Sequence, residues 1–163
     1  STASVLRAYP AFTAYQVVRF AAVIAWQIQS VAIGWIVYAR THDVLSLAFV
    51  GLAQFLPMLL FSIPGGVLAD RFERRRILVL GHVFLAATAL LLRHAAKHPE
   101  LGIIPVYVAL VAFGVARSFT GPASQAMLPT LVPKEAFPRA VSAASVVLNL
   151  ATLLGPAAGG LVY

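Results

Sequence analysis

The sequence predicts an all-α membrane protein. Five long stretches are nearly free of charge, and the charged residues gather between them. The composition leaves little for a water-facing surface: 61% of residues are hydrophobic and 10% are charged. A soluble domain carries about 25% charged residues. The mean hydropathy is +0.90.

Crossing the hydrocarbon core as a helix takes about 20 apolar residues, within a range of about 17–25. The first predicted span covers about 11–39, and Phe20 to Ala39 holds no charge. The second, 44–69, lies between Asp43 and Asp70 with no charged residue inside it. Gln54, Pro57 and Pro64 mark a bend there, because proline interrupts the helical hydrogen bonds. The third span is 77–96, with Arg93 snorkelling at its far end. The fourth is 101–121, with Arg117 near its end. The fifth is 140–163. Two connections carry the charge, 70–76 and 122–139. The second holds four prolines with Lys134 and Glu135, and is expected to be partly helical.

Orientation follows from the basic residues. With the N-terminus cytoplasmic, the inner side holds Arg7, Arg71, Arg74, Arg75, Arg76, Arg117, Lys134 and Arg139. The outer side holds Arg40, Arg93 and Lys97. That distribution obeys the positive-inside rule. The net charge of +7 is therefore loop charge facing anionic lipid, and no aromatic-interleaved basic patch points to nucleic acid. The chain has no cysteine, which excludes disulfides and thiolate chemistry. The N-terminus lacks the pattern of a cleavable signal peptide. Five spans with no polar tail are what a chain cut short looks like.

The densest charge lies in residues 65–76, GGVLADRFERRR, where four of the twelve Lys/Arg residues fall within six positions. Gly65 and Gly66 permit close helix approach. Asp70 and Glu73 have the spacing of a capping box opening the third helix, and Arg71, Arg74 and Arg75 stand ready to pair with Asp70. Topology alone, a basic anchor with a helix cap, is one reading of this turn.

Polar residues inside the spans form two stripes. At 100° per residue, Gln16, Arg19, Gln27 and Ser30 fall within about an 80° sector, with Gln29 pointing away. They are candidate cavity residues, though Arg19 can also snorkel to the surface. On the fifth span Ser142, Ser145, Asn149 and Thr152 share a similar sector, followed by Gly155, Pro156, Gly159 and Gly160. Helix packing explains this stripe, with Asn149 the candidate exception. His82 lies six residues from Arg76 and reads as interfacial rather than as a proton relay. His94 and His98 read as solvated, their spacing a weak metal signal. No catalytic or metal-ligating constellation is present, so neither an enzyme nor a metal site is expected.

Gly66-Val-Leu-Ala-Asp70-Arg71-Phe-Glu-Arg74-Arg75 resembles the GxLADRxGRR signature between helices 2 and 3 of major facilitator superfamily transporters, with Glu73 in place of a glycine. Trp26-Gln27-Ile28-Gln29, Trp35-Ile36-Val37-Tyr38, Leu56-Pro57, Pro122-Ala123 and Leu128-Pro129-Thr-Leu-Val-Pro133 resemble the enterobactin-exporter-like efflux group. Gly155-Pro156-Ala-Ala-Gly159-Gly160 is similar to the GPxxGG signature of antiporter helix 5. Arg117-Ser-Phe-Thr-Gly121 also matches a helix 4 pattern of proton-coupled drug carriers. Aligning through Pro122-Ala123 instead puts Leu110 on that pattern's arginine and Arg117 near the cytoplasmic end, which fits the charge count.

The resemblance implies a twelve-helix carrier of two halves, each an inverted pair of three-helix repeats. This chain supplies helices 1–5, an incomplete N-terminal half whose partner is the missing C-terminal half. It implies alternating-access efflux of small amphipathic molecules, siderophore-like or drug-like, across a bacterial inner membrane. No cofactor is implied beyond a possible coupling proton. Gly66, Asp70, Arg71, Arg74 and Arg75 are implied to form a conformational latch, and Arg19, Gln27, Ser30 and Asn149 to face the substrate cavity. The alternative is a truncated, non-transporting fragment or an assembly partner.

Overall fold

The computed structural model describes residues 2–162. Its helices are α1 (Thr2–Ala8), α2 (Pro10–Thr41), α3 (Val44–Leu60), α4 (Ser62–Arg71), α5 (Arg74–Lys97), α6 (Ile104–Met127) and α7 (Phe137–Val162). Single 3₁₀ turns at Pro99–Leu101 and Leu128–Thr130 bracket α6. No strand occurs among the described residues. Four helices, α2, α5, α6 and α7, are each long and apolar enough to cross a membrane. A fifth crossing is made by α3 and α4 together, bent by 47°. The chain forms two compact units, one of residues 1–32 with 127–163 and one of residues 33–126.

In the 33–126 unit, α3 opens on an Asp43 cap. The Asp43 Oδ1 accepts the Leu45 N–H at 3.0 Å, and Ser46 donates its hydroxyl to Oδ2 at 3.2 Å. Such a cap satisfies a backbone donor that the first turn leaves free. The bend that follows has a local cause. Pro64 has no N–H to give to the carbonyl four residues back. The Ser62 hydroxyl donates to the nearby Leu59 carbonyl at 2.7 Å.

At the centre of this unit lies α6. Nine of its residues are buried, among them Val106, Leu110, Phe113 and Ala123. Small residues bring its neighbours close. A side chain at Gly65 of α4 would strike the backbone carbonyl of Ser118, and one at Gly114 the backbone carbonyl of Gln54 on α3. Tight backbone contact of this kind replaces the hydrophobic drive that lipid removes. At the far end, Ile33, Val37, Leu92, Ala95, Val106, Ala109 and Leu110 form an apolar cluster. Arg40 ties that end down, donating to the carbonyls of Ala95 at 2.6 Å and Gly102 at 2.8 Å.

In the other unit, α1 folds onto the start of α7. Val5, Phe12, Val132, Ala140 and Ala143 make its core. The Thr13 hydroxyl ties the α1–α2 corner to the carbonyls of Leu6 and Tyr9. Farther along, α2 and α7 meet where Gly155 receives the Gln27 side chain and where a Cβ at Gly159 would lie 3.2 Å from Val31.

Much of the apolar surface faces outward, including Ile63, Leu80, Leu153 and Leu161. That distribution suits a lipid solvent, in which an exposed leucine costs nothing.

Two boundaries differ from the sequence expectation. The fourth span does not stop at 121, because α6 runs through Pro122 to Met127. Arg117 therefore stands ten residues inside the helix end, about 15 Å along its axis, and not at its edge. The third helix opens at Arg74, so three of the arginines expected in the connection are its first turn.

Candidate functional site

The basic turn is built by the end of α4 and the start of α5. Asp70 and Arg71 close α4, Phe72 is extended, and Glu73 precedes α5. The expected capping box does not form. Because Asp70 is helical, it cannot adopt the extended conformation of a cap, and no side chain caps α5. Glu73 instead pairs with Arg76 at 2.7 Å. Nor do the expected Asp70 pairings form. Arg74 donates to the Ala126 carbonyl at the end of α6, at 3.2 Å. Among the described residues Asp70 carries no hydrogen bond or ion pair, and its side chain is exposed. It sits at a helix C-terminus, where the dipole disfavours an anion. The flanking arginines Arg71 and Arg75 are exposed as well. The arrangement leaves a carboxylate and two guanidinium groups unspent on one short turn.

The glycines of the motif differ from each other. Gly65 makes the close approach to α6, whereas a side chain at Gly66 would meet nothing. One step along a helix turns the face by about 100°, which takes Gly66 off the contact.

The first polar stripe points into its own unit. Gln16 is 2% exposed, and both of its amide atoms lack a partner among the described residues. Arg19, Gln27 and Ser30 are half-buried. Gln27 donates to the Thr152 carbonyl of α7 at 3.2 Å and covers Gly155. It is thus a helix–helix contact as well as a polar side chain. The second stripe is largely self-satisfied. Ser142, Ser145 and Thr152 donate to carbonyls four residues back, at 3.0, 3.0 and 2.8 Å. Asn149 is exposed and makes none of these bonds. Pro156 and Gly160 are exposed on α7, while Gly155 and Gly159 are buried against α2.

His82 lies 2.6 Å through Nδ1 from the Leu78 carbonyl of its own helix. Arg117 is half-buried near the middle of α6. A charge there is costly enough to mark a functional position by default. Sequence reasoning missed this because Pro122 looked like a helix end. All five acidic residues, Asp43, Asp70, Glu73, Glu100 and Glu135, lie at helix ends or in connections.

Comparison with known proteins places this arrangement. Over 138 residues the chain is 28% identical to the staphyloferrin A transporter of Staphylococcus aureus, covering 83% of this chain and 34% of the relative. It is 28% identical over 124 residues to macrolide efflux protein A of Streptococcus pyogenes, covering 76% and 31%. It is 29% identical over 170 residues to the enterobactin exporter of Escherichia coli O1:K1, covering 98% and 38%. The chain thus spans about a third of the length of these relatives. No solved structure matches it significantly. These relatives are transporters, not enzymes. The family model described as transmembrane secretion effector matches residues 2–163, and with the apolar helices and the basic turn already in place, the chain belongs to that family of major facilitator superfamily membrane proteins.

Proposed function

We propose that this chain is the first part of an efflux carrier that exports small amphipathic molecules by alternating access. Relatives named for a siderophore exporter and a macrolide efflux protein support the substrate class. The second wall of the cavity belongs to further chain of the kind that the longer relatives carry. The membrane is the bacterial inner membrane, with the N-terminus cytoplasmic. Protons drive the cycle. No acid lies deep in the spans of this stretch, so the acid that carries them lies elsewhere in the carrier.

The observation that carries the reading is the unspent Asp70. It sits exposed and unpaired between Gly66 and the arginines Arg71, Arg74 and Arg75. A carboxylate left free at a helix C-terminus is available to a helix end of the second half. We assign the turn as a latch that holds one state until that contact breaks. Arg19, Ser30 and Asn149 supply polar groups toward the cavity, and Gln27 shares that task with its hold on α7.

The test is efflux of a fluorescent amphipathic dye or macrolide from cells or vesicles. Asp70→Asn should cut efflux at least tenfold at unchanged membrane abundance. Unchanged transport removes the latch. Transport insensitive to a protonophore removes the proton drive.

A further inference from the structure

Two histidines at the end of α5 were left over by the transport reading, and their geometry is specific. His94 and His98 are one helical turn apart, so they share a face. Their ring centroids lie 4.4 Å apart, with planes tilted by 42°. Directly after the helix, the chain turns through Pro99–Leu101 and brings Glu100 back onto His98. The Glu100 Oε1 is 2.7 Å from the His98 Nδ1.

This contact fixes the imidazole. A carboxylate oxygen at that distance accepts a hydrogen bond from the imidazole, which places the proton on Nδ1. The lone pair of Nε2 is then free. A carboxylate behind a histidine in this way is the usual support for a metal-ligating imidazole. It sets the tautomer, aims the ring and raises its basicity.

We propose that His94 and His98 bind a late first-row divalent transition-metal ion, with Glu100 orienting His98 from behind. Imidazole suits copper, zinc and nickel, with copper the tightest of the three. Among the described residues no group of three or more His, Cys, Asp and Glu is arranged to hold a metal ion. With Glu100 engaged on the His98 Nδ1, the proposed site offers two imidazole nitrogens, and water fills the other positions. That makes the site open and exchangeable rather than structural. Arg40 is already spent on the Ala95 and Gly102 carbonyls. Arg93 and Lys97 are exposed at the same helix end and oppose the charge of the ion, while Glu100 offsets one of them. With α5 running 24 residues from Arg74, about 36 Å, the site lies on the membrane face opposite the basic turn.

The experiment titrates Cu²⁺ and Zn²⁺ into the protein in lipid nanodiscs, purified with a tag that contains no histidine. Calorimetry gives the stoichiometry, and the electron paramagnetic resonance spectrum of bound Cu²⁺ counts its nitrogens. One ion per chain is expected, with two coordinated nitrogens from imidazole. His94→Ala and His98→Ala should each weaken Cu²⁺ binding at least tenfold. Glu100→Gln should weaken it about tenfold. His42→Ala and His82→Ala should leave it unchanged. These side chains are at an exposed helix end, and metal-free thermal unfolding confirms that each variant is folded. Absence of saturable binding, or binding that survives both His94→Ala and His98→Ala, overturns the site. Loss in the histidine variants with no change in Glu100→Gln overturns the role of the carboxylate.

Discussion

Arg40 shows how far a single side chain can reach and how little of that reach the sequence displays. In the sequence it is one of three basic residues on the outer side. In the fold it donates to carbonyls 55 and 62 positions away. Both acceptors lie at the C-terminal end of α5 and in the turn after it, where backbone oxygens lack helical donors. A guanidinium there is also favoured by the helix dipole. Hydrogen bonds to a charged group contribute about 1.5–3 kcal/mol each, and partial exposure lowers that figure. Arg40→Ala is therefore expected to cost about 1–3 kcal/mol and to lower the thermal midpoint of the detergent-solubilised protein. Arg93→Ala, on the exposed side of α5, should leave the midpoint alone. Equal midpoints for the two variants would remove Arg40 from the packing. The same blindness hid the true place of Arg117: its exposure could be judged only once the end of α6 was known.

At the scale of elements, the charge-free runs made every long helix readable, because lipid tolerates few charges inside a span. Helix ends were harder. Pro122 reads as a stop, yet α6 continues through it. The reason is a fit with α4. Pro122 leaves the Ser118 carbonyl without its helical donor, and that carbonyl is the one packed against Gly65. A neighbouring helix that approaches without a side chain covers the freed oxygen. The capping box failed for a related reason: α4 runs on through Asp70, a continuation that no local signal forbids. The α4–α6 contact makes a paired prediction. Gly65→Ala puts a methyl group into backbone that cannot yield, and should destabilise by about 1–3 kcal/mol. Gly66→Ala adds a methyl group to open space and relieves the helix of a glycine, for a change of at most about 1 kcal/mol in the stabilising direction. Thermal unfolding of the two variants side by side separates them, and a Gly65→Ala protein as stable as its Gly66 counterpart would contradict the contact.

At the scale of the whole molecule, what the sequence displays is an address rather than a shape. Three arginines in the first turn of α5 and the histidine pair at its other end are separated by a helix longer than the hydrocarbon core, about 30 Å. The two ends must face opposite compartments, and the basic end should face the cytoplasm because basic connections resist translocation. The chain has no cysteine, so single cysteines report position without background. Arg75→Cys and Lys97→Cys are both at exposed sites, on opposite ends of α5. A membrane-impermeant maleimide added to intact cells should label Lys97→Cys and spare Arg75→Cys. Permeabilising the cells should expose the second site. Each substitution removes one positive charge, and the three remaining arginines of the basic turn keep the bias that sets orientation. Labelling of Arg75→Cys from outside, with Lys97→Cys protected, would invert the topology. It would also take the latch away from the cytoplasmic side and put the metal-binding pair there instead. The same two cysteines therefore decide which compartment each proposed site serves.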